Sequence, residues 1–128
     1  MDLPLKNEFR IDNRVLGSIS SIELVKRKRK NDIIIPYSQR LSDSNKVQEI
    51  VEYQKEYKLK NDGIYNFLGV INLHFCLQDM KYYLVDGQHR FEAISILVSE
   101  LEDFDVVIEV VEIKKREDLF ENYNLINK

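Results

Sequence analysis

Between Tyr82 and Leu97 the chain reads YYLVDGQHRFEAISIL: an apolar aromatic run, then Asp86-Gly87, then three polar side chains, then an apolar pattern at helical spacing. The composition of the run favours a strand, and the spacing after it favours a helix. Gln88, His89 and Arg90 therefore stand at a strand-to-helix junction. A helix start offers unpaired backbone N–H groups and the positive end of the macrodipole. Gly87 permits close backbone approach and unusual dihedrals. An anion at the junction would receive N–H donors from the turn, and His89 or Arg90 would add charge-assisted bonds. Asp86 is acceptor-only when ionised, so beside a phosphate it suits a Mg²⁺ contact or a general base. A bare Asp-Gly turn is more often a simple connection in which Asp86 caps the helix. Three consecutive polar side chains after it tilt the reading towards a site.

A second polar stretch, YSQR (Tyr37 to Arg40), also sits between a strand pattern and a helix pattern, and it places Gln39 and Arg40 where polar groups can converge. Taken alone, it reads as an ordinary helix lead-in. KRKRK, comprising Lys26, Arg27, Lys28, Arg29 and Lys30, is the densest charge run in the chain. As a structural feature it is a solvated loop or edge-strand ribbon; as a functional one it is a phosphate-contacting arm or a nuclear-import signal. His74 lies in a strand pattern with no second His or Cys at ligand spacing, so no zinc site is expected. Cys76, the only cysteine, sits mid-strand and reads as a core residue. The tyrosines at 53, 57, 65, 82 and 83 and Phe67 read as packing rather than a base-stacking platform.

The elements that must position these residues follow from periodicity and breakers. Residues 1–17 read as an irregular lead-in with turns at Asn13 and Gly17. Ser18 to Val25 alternates and predicts a first strand. Ile33 to Ile35 predicts a short buried strand stopped by Pro36. A helix is expected from about Leu41 to Lys58, capped by Ser42 or Ser44, with Val47, Ile50, Val51 and Tyr57 on its apolar face. Asn61-Asp62-Gly63 breaks the chain. The stretch 66–77 predicts a central strand, joined through Gln78-Asp79-Met80 to the 81–85 strand as a hairpin. A helix from Phe91 to about Leu101, a strand over 104–113 and a closing helix over 116–128 complete the order. The fold class expected is α+β: a mixed sheet with flanking helices, in one domain over residues 18–128.

Composition bounds the rest. At 128 residues, 44% hydrophobic and 32% charged, the chain fits one globular domain rather than a disordered one. No apolar stretch approaches the roughly 20 residues that span a bilayer, and no signal-peptide pattern opens the chain. A single cysteine suits a reducing compartment. A cytoplasmic location is expected, or a nuclear one in a eukaryotic host. The net charge of −3 argues against coating nucleic acid by bulk charge.

Three segments in this order resemble the ParB/sulfiredoxin superfamily, in particular its DGQHR branch, which includes the phosphorothioation regulator DndB. IPYSQR resembles the first box. YYLVDGQHRFEAISIL resembles the central box, which reads Gly-Glu-Arg-Arg in ParB, Asp-Gly-His-His-Arg in the free-serine kinases and Gly-Gly-Cys-His-Arg in sulfiredoxin. LFENYNLINK resembles the closing helix. The resemblance implies a phosphate cradle of Gly87, Gln88, His89 and Arg90, with Asp86 as the acidic group. It places Gln39 and Arg40 across the pocket and Asn127 on the closing helix.

Gln88 stands where sulfiredoxin carries its reactive cysteine, and an amide cannot act as a thiolate, so sulfinic-acid reduction is excluded. The paired arginines of ParB are lacking, and the matched region has no helix-turn-helix or dimerisation segment, so a clamp on DNA would require a partner protein or a homodimer. The first expectation is therefore a nucleotide-phosphate-binding domain, for ATP or another nucleoside triphosphate with Mg²⁺. It would carry out hydrolysis or phosphotransfer, with Asp86 and His89 as catalytic groups. The alternative is a non-catalytic regulatory module associated with DNA through Lys26 to Lys30. Nuclease activity ranks third, because only Asp86 is placed for a metal.

Overall fold

The computed structural model describes residues 3–36, 43–65, 69–99 and 103–119. Its centre is a six-stranded mixed sheet in the order β1-β2-β6-β4-β5-β3. The strands are β1 (Lys6–Ile11), β2 (Arg14–Ser20), β3 (Ile33–Ile34), β4 (Ile71–Cys76), β5 (Lys81–Asp86) and β6 (Asp105–Ile113). Among the described residues, helices α1 (Ser21–Arg29), α2 (Ser44–Lys60) and α3 (Gln88–Ser99) interleave with them. This is the α+β class expected. No described helix is long and apolar enough to cross a membrane.

The first departure is at the N-terminal end. Residues expected to be irregular form an antiparallel hairpin, in which Phe9, Arg10 and Ile11 face Leu16, Val15 and Arg14. Asn13 lies in its turn as expected, next to Asp12 at φ 50°. Gly17 is mid-strand instead. A methyl there would stand 3.1 Å from both Leu5 Cβ and the Lys6 carbonyl oxygen, so glycine serves the close approach of β1 to β2 rather than a turn. The alternating pattern is also real, but it belongs to Arg14–Ser20, where Val15, Gly17 and Ile19 are buried.

From Ser21 onward the chain turns helical. The Ser20 hydroxyl accepts from the Glu23 amide as the N-cap of α1. Ser20 and Ser21 both donate to Asp103 Oδ1, at 2.8 and 3.2 Å, and Phe104 N–H donates to Ser21 Oγ at 3.1 Å. The bonds that Asp103 accepts, the one from Ser20 first and then the one from Ser21, hold its carboxyl below its ordinary value.

β3 is short and parallel to β5, as the Ile-Ile-Ile-Pro stretch suggested. β4 and β5 form the expected antiparallel hairpin around Leu77 to Met80. β6 is parallel to β4 and antiparallel to β2, and so ties the N-terminal hairpin to the centre of the sheet. The helix of α2 begins later than expected, and Asp43 caps it by accepting from Asn45 and Lys46 amides. Residues 116–119 are helical; the remainder of the expected closing helix lies outside the described residues.

One face of the sheet carries the main core. Ile19, Leu24 and Val25 from β2 and α1, and Phe91 and Ile94 from α3, pack on Ile71, Leu73, Leu84, Ile108 and Val110. Helix α2 packs on α3 instead of the sheet, through Val47 and Val51 against Ala93 and Leu97. The opposite face holds Cys76, Tyr83 and Ile113 with Leu119 against them. Cys76 is thus core, as expected. Burial pushes the Tyr83 phenol up to about 12, helped by its bond to Asp79. His74, 1% exposed, is also buried in β4.

Candidate functional site

Strand β5 ends at Asp86 and helix α3 starts at Gln88, so a single residue, Gly87, makes the whole turn. Its φ of +97° is one that L side chains rarely adopt, and an added Cβ would lie 3.3 Å from Ile71 Cγ1. The ladder between β4 and β5 slips immediately before the turn: Leu73 pairs with Leu84 but Asn72 with Asp86. Val85 is the extra residue of a bulge, which brings Asp86 level with Asn72 at the end of the sheet. The Asp86 carboxylate is half-buried and makes no hydrogen bond or ion pair among the described residues.

Helix α3 begins three residues earlier than its apolar pattern suggested, and Gln88, His89 and Arg90 form its first turn. The Phe91 N–H donates to the Gly87 carbonyl at 2.8 Å. Gly87 therefore stands in the cap position with no side chain to cap with. The amides of Gln88 and His89 have no acceptor among the described residues. Helices α1 and α2, by contrast, are each capped by a side chain. The Gln88 carboxamide turns along its own helix and donates to Glu92 Oε1 at 3.2 Å.

His89 reaches across to the start of α2, where its Nε2 accepts from the Asp43 N–H at 3.1 Å. That acceptor role places the ring proton of neutral His89 on Nδ1. The contact brings two helix N-termini side by side, and with them two positive macrodipole ends. Arg90 points into the sheet end rather than outward. Its Nη2 donates to the Val70 carbonyl at 3.3 Å, and its guanidinium covers Gly69 and Gly87. A Cβ on Gly69 would lie 1.9 Å from Arg90 Nη1. Gly69 is thus a partner of the junction that residue-type reasoning passed over; the signal was a glycine inside an otherwise strand-like run.

The basic run is neither loop nor ribbon. Lys26, Arg27, Lys28 and Arg29 are the last turn of α1 and Lys30 is its C-cap. Cations there complement the negative end of the helix dipole, so the run has a local structural role. At about 100° per residue, five consecutive side chains also spread right round the helix. Arg27 bonds Glu23 one turn back at 2.9 Å. Lys28 and Arg29 are exposed and make no ion pair among the described residues. They line a cleft of about 480 Å³ together with Ile33, Ile34, Ile35, Gln88 and Glu92.

The structure thus brings Gly87, His89 and Arg90 into one junction with Asp86 at its edge. It does not link Asp86 to His89 or Arg90 by any hydrogen bond among the described residues. Gln39, Arg40 and Asn127 lie outside the described residues. No group of three or more His, Cys, Asp or Glu side chains is placed to hold a metal among the described residues. Comparison with family models, with curated proteins and with solved structures gave no match.

Proposed function

We propose that this chain is a ParB/sulfiredoxin-like domain of the DGQHR type that binds the phosphates of a nucleoside triphosphate, ATP foremost, at the β5–α3 junction. The observation that carries this reading is the glycine cap of α3. Gly87 leaves the first amides of the helix without an acceptor among the described residues, and His89 sets the N-terminus of α2 beside them. Anions are favoured at such an end by both the N–H donors and the dipole. His89 and Arg90 hold the shape of the cradle, each through a bond to the backbone of another segment.

Mg²⁺ fits this arrangement with Asp86 as its one protein contact. The ion typically keeps several waters and takes one or two carboxylates plus substrate phosphates. When bound it would neutralise phosphate charge, which supports hydrolysis or phosphotransfer. Asp86→Asn removes the carboxylate charge from a side chain that makes no hydrogen bond or ion pair among the described residues, so the variant should keep its thermal stability. It is expected to lose the Mg²⁺-dependent part of ATP affinity, read by calorimetry with and without the ion. Equal Mg²⁺ dependence in both proteins would remove Asp86 from the site. Mg²⁺-dependent phosphate release that Asp86→Asn abolishes would make the domain an enzyme. Binding without release would make it a regulatory module.

A further inference from the structure

The cleft beside the junction joins two features that lie about sixty residues apart in the chain. One wall is the C-terminal turn of α1, with Lys28 and Arg29; the other is the first turns of α3, with Gln88 and Glu92. The floor is the β3 stretch, where Ile33 is buried and Ile34 and Ile35 are half-buried. Lys28 and Arg29, in no ion pair with a described carboxylate, thus stand with Asn31 over an isoleucine floor, and across from them are the Glu92 carboxylate and Gln88, the residue whose amide opens α3. We infer that this cleft takes the polyphosphate chain of the nucleotide, with Lys28 and Arg29 as cationic contacts that select di- and triphosphates over monophosphates.

This rests on the junction binding a nucleotide, and it reassigns two residues of the basic run from a nucleic-acid backbone to a small molecule. Volume favours that choice, since about 480 Å³ lies within the roughly 300–1,000 Å³ of small-molecule sites. Charge favours it too. Arg27 is engaged by Glu23, and Lys26 and Lys30 do not line the cleft, so the run presents two cations here rather than a continuous strip.

The test compares MgATP and AMP binding by calorimetry in the whole chain, for wild type and for the double variant Lys28→Ala/Arg29→Ala. Both side chains are exposed, and their loss removes from α1 only a modest, solvent-screened dipole stabilisation, so a thermal melt serves as the folding control. The double variant should bind MgATP about tenfold or more weakly while AMP affinity changes by less than about threefold, consistent with losing charge-assisted bonds. MgATP bound equally by both proteins would overturn the assignment of this cleft and leave the junction reading standing. Failure of wild type to bind any nucleotide would overturn both. A loss confined to a duplex DNA oligomer, with MgATP unaffected, would return Lys28 and Arg29 to a nucleic-acid role.

Discussion

At Gly69 one added methyl would collide with the guanidinium of Arg90 in a backbone conformation, φ +85°, that is already unfavourable for any side chain. Gly63 has a similar φ, +79°, but nothing within 4 Å of its would-be Cβ. The two positions separate backbone strain from steric conflict. Gly63→Ala is expected to cost about 1 kcal/mol, and Gly69→Ala clearly more, about 2–4 kcal/mol, in urea denaturation. Adding Arg90→Ala to Gly69→Ala should restore part of the difference, a coupling that a double-mutant cycle reads directly. Equal costs at 63 and 69 would mean that Arg90 does not pack on Gly69.

His74 supplies a second prediction at this scale. Burial in β4 pushes its imidazole down to about 4, and its Nδ1 has no hydrogen-bond partner among the described residues. The unfolded chain takes the proton near pH 6.5. Between those values the unfolded state binds more protons than the folded one, so stability falls as pH drops from about 6.5 towards 4. The loss approaches about 3 kcal/mol at the acid end. His74→Phe should flatten this part of the stability–pH curve relative to wild type, measured by urea melts at several pH values. An unchanged slope would show that His74 is not buried as a neutral ring.

Among the elements, the helices differ most from what local pattern suggested, and the reasons are local. Ser20-Ser21-Ile22-Glu23 has the spacing of a capping box, and Ser20 does cap α1. The same residues continue the alternation of β2, so period two masked the helix start, and five cations in a row obscured its last turn. At α3 the apolar stripe begins with Phe91, whereas the helix itself begins with the polar Gln88 because Gly87 already accepts from Phe91. Among the strands β3, β5 and β6 were plainer, since β5 and β6 are rich in Val, Ile and Tyr and Ile-Ile-Ile-Pro delimits β3, whereas β1 and the start of β2 lay in a stretch that read as irregular. Caps give the sharpest test here. Ser20→Ala and Asp43→Ala should each cost about 1 kcal/mol. Asp43→Ala keeps the N–H that His89 accepts, so any nucleotide affinity should change less than stability does. A larger effect on affinity than on stability would place the Asp43 side chain in the site.

For the whole molecule, the α+β class and the position of the junction were legible, because both depend on short-range order of strand, turn and helix. The sheet order was not. It rests on β6 entering between β2 and β4, pairings such as Val15 with Val110 and Leu73 with Val110, across long stretches of chain. The meeting of α2 with α3, and of Lys28 and Arg29 with Gln88, has the same origin. Phe91 is fully buried where α3 meets the sheet core, and Phe91→Ala should cost about 3–5 kcal/mol. Together these contacts make the junction a product of the assembled sheet.

The central claim is that a nucleotide's phosphates sit at the glycine cap of α3. The most direct measurement is isothermal titration of the wild-type chain with ATP, ADP, CTP and GTP, each with and without Mg²⁺. Saturable one-to-one binding of a triphosphate, strengthened by Mg²⁺, is the predicted result. No binding of any of the four at millimolar nucleotide would contradict it.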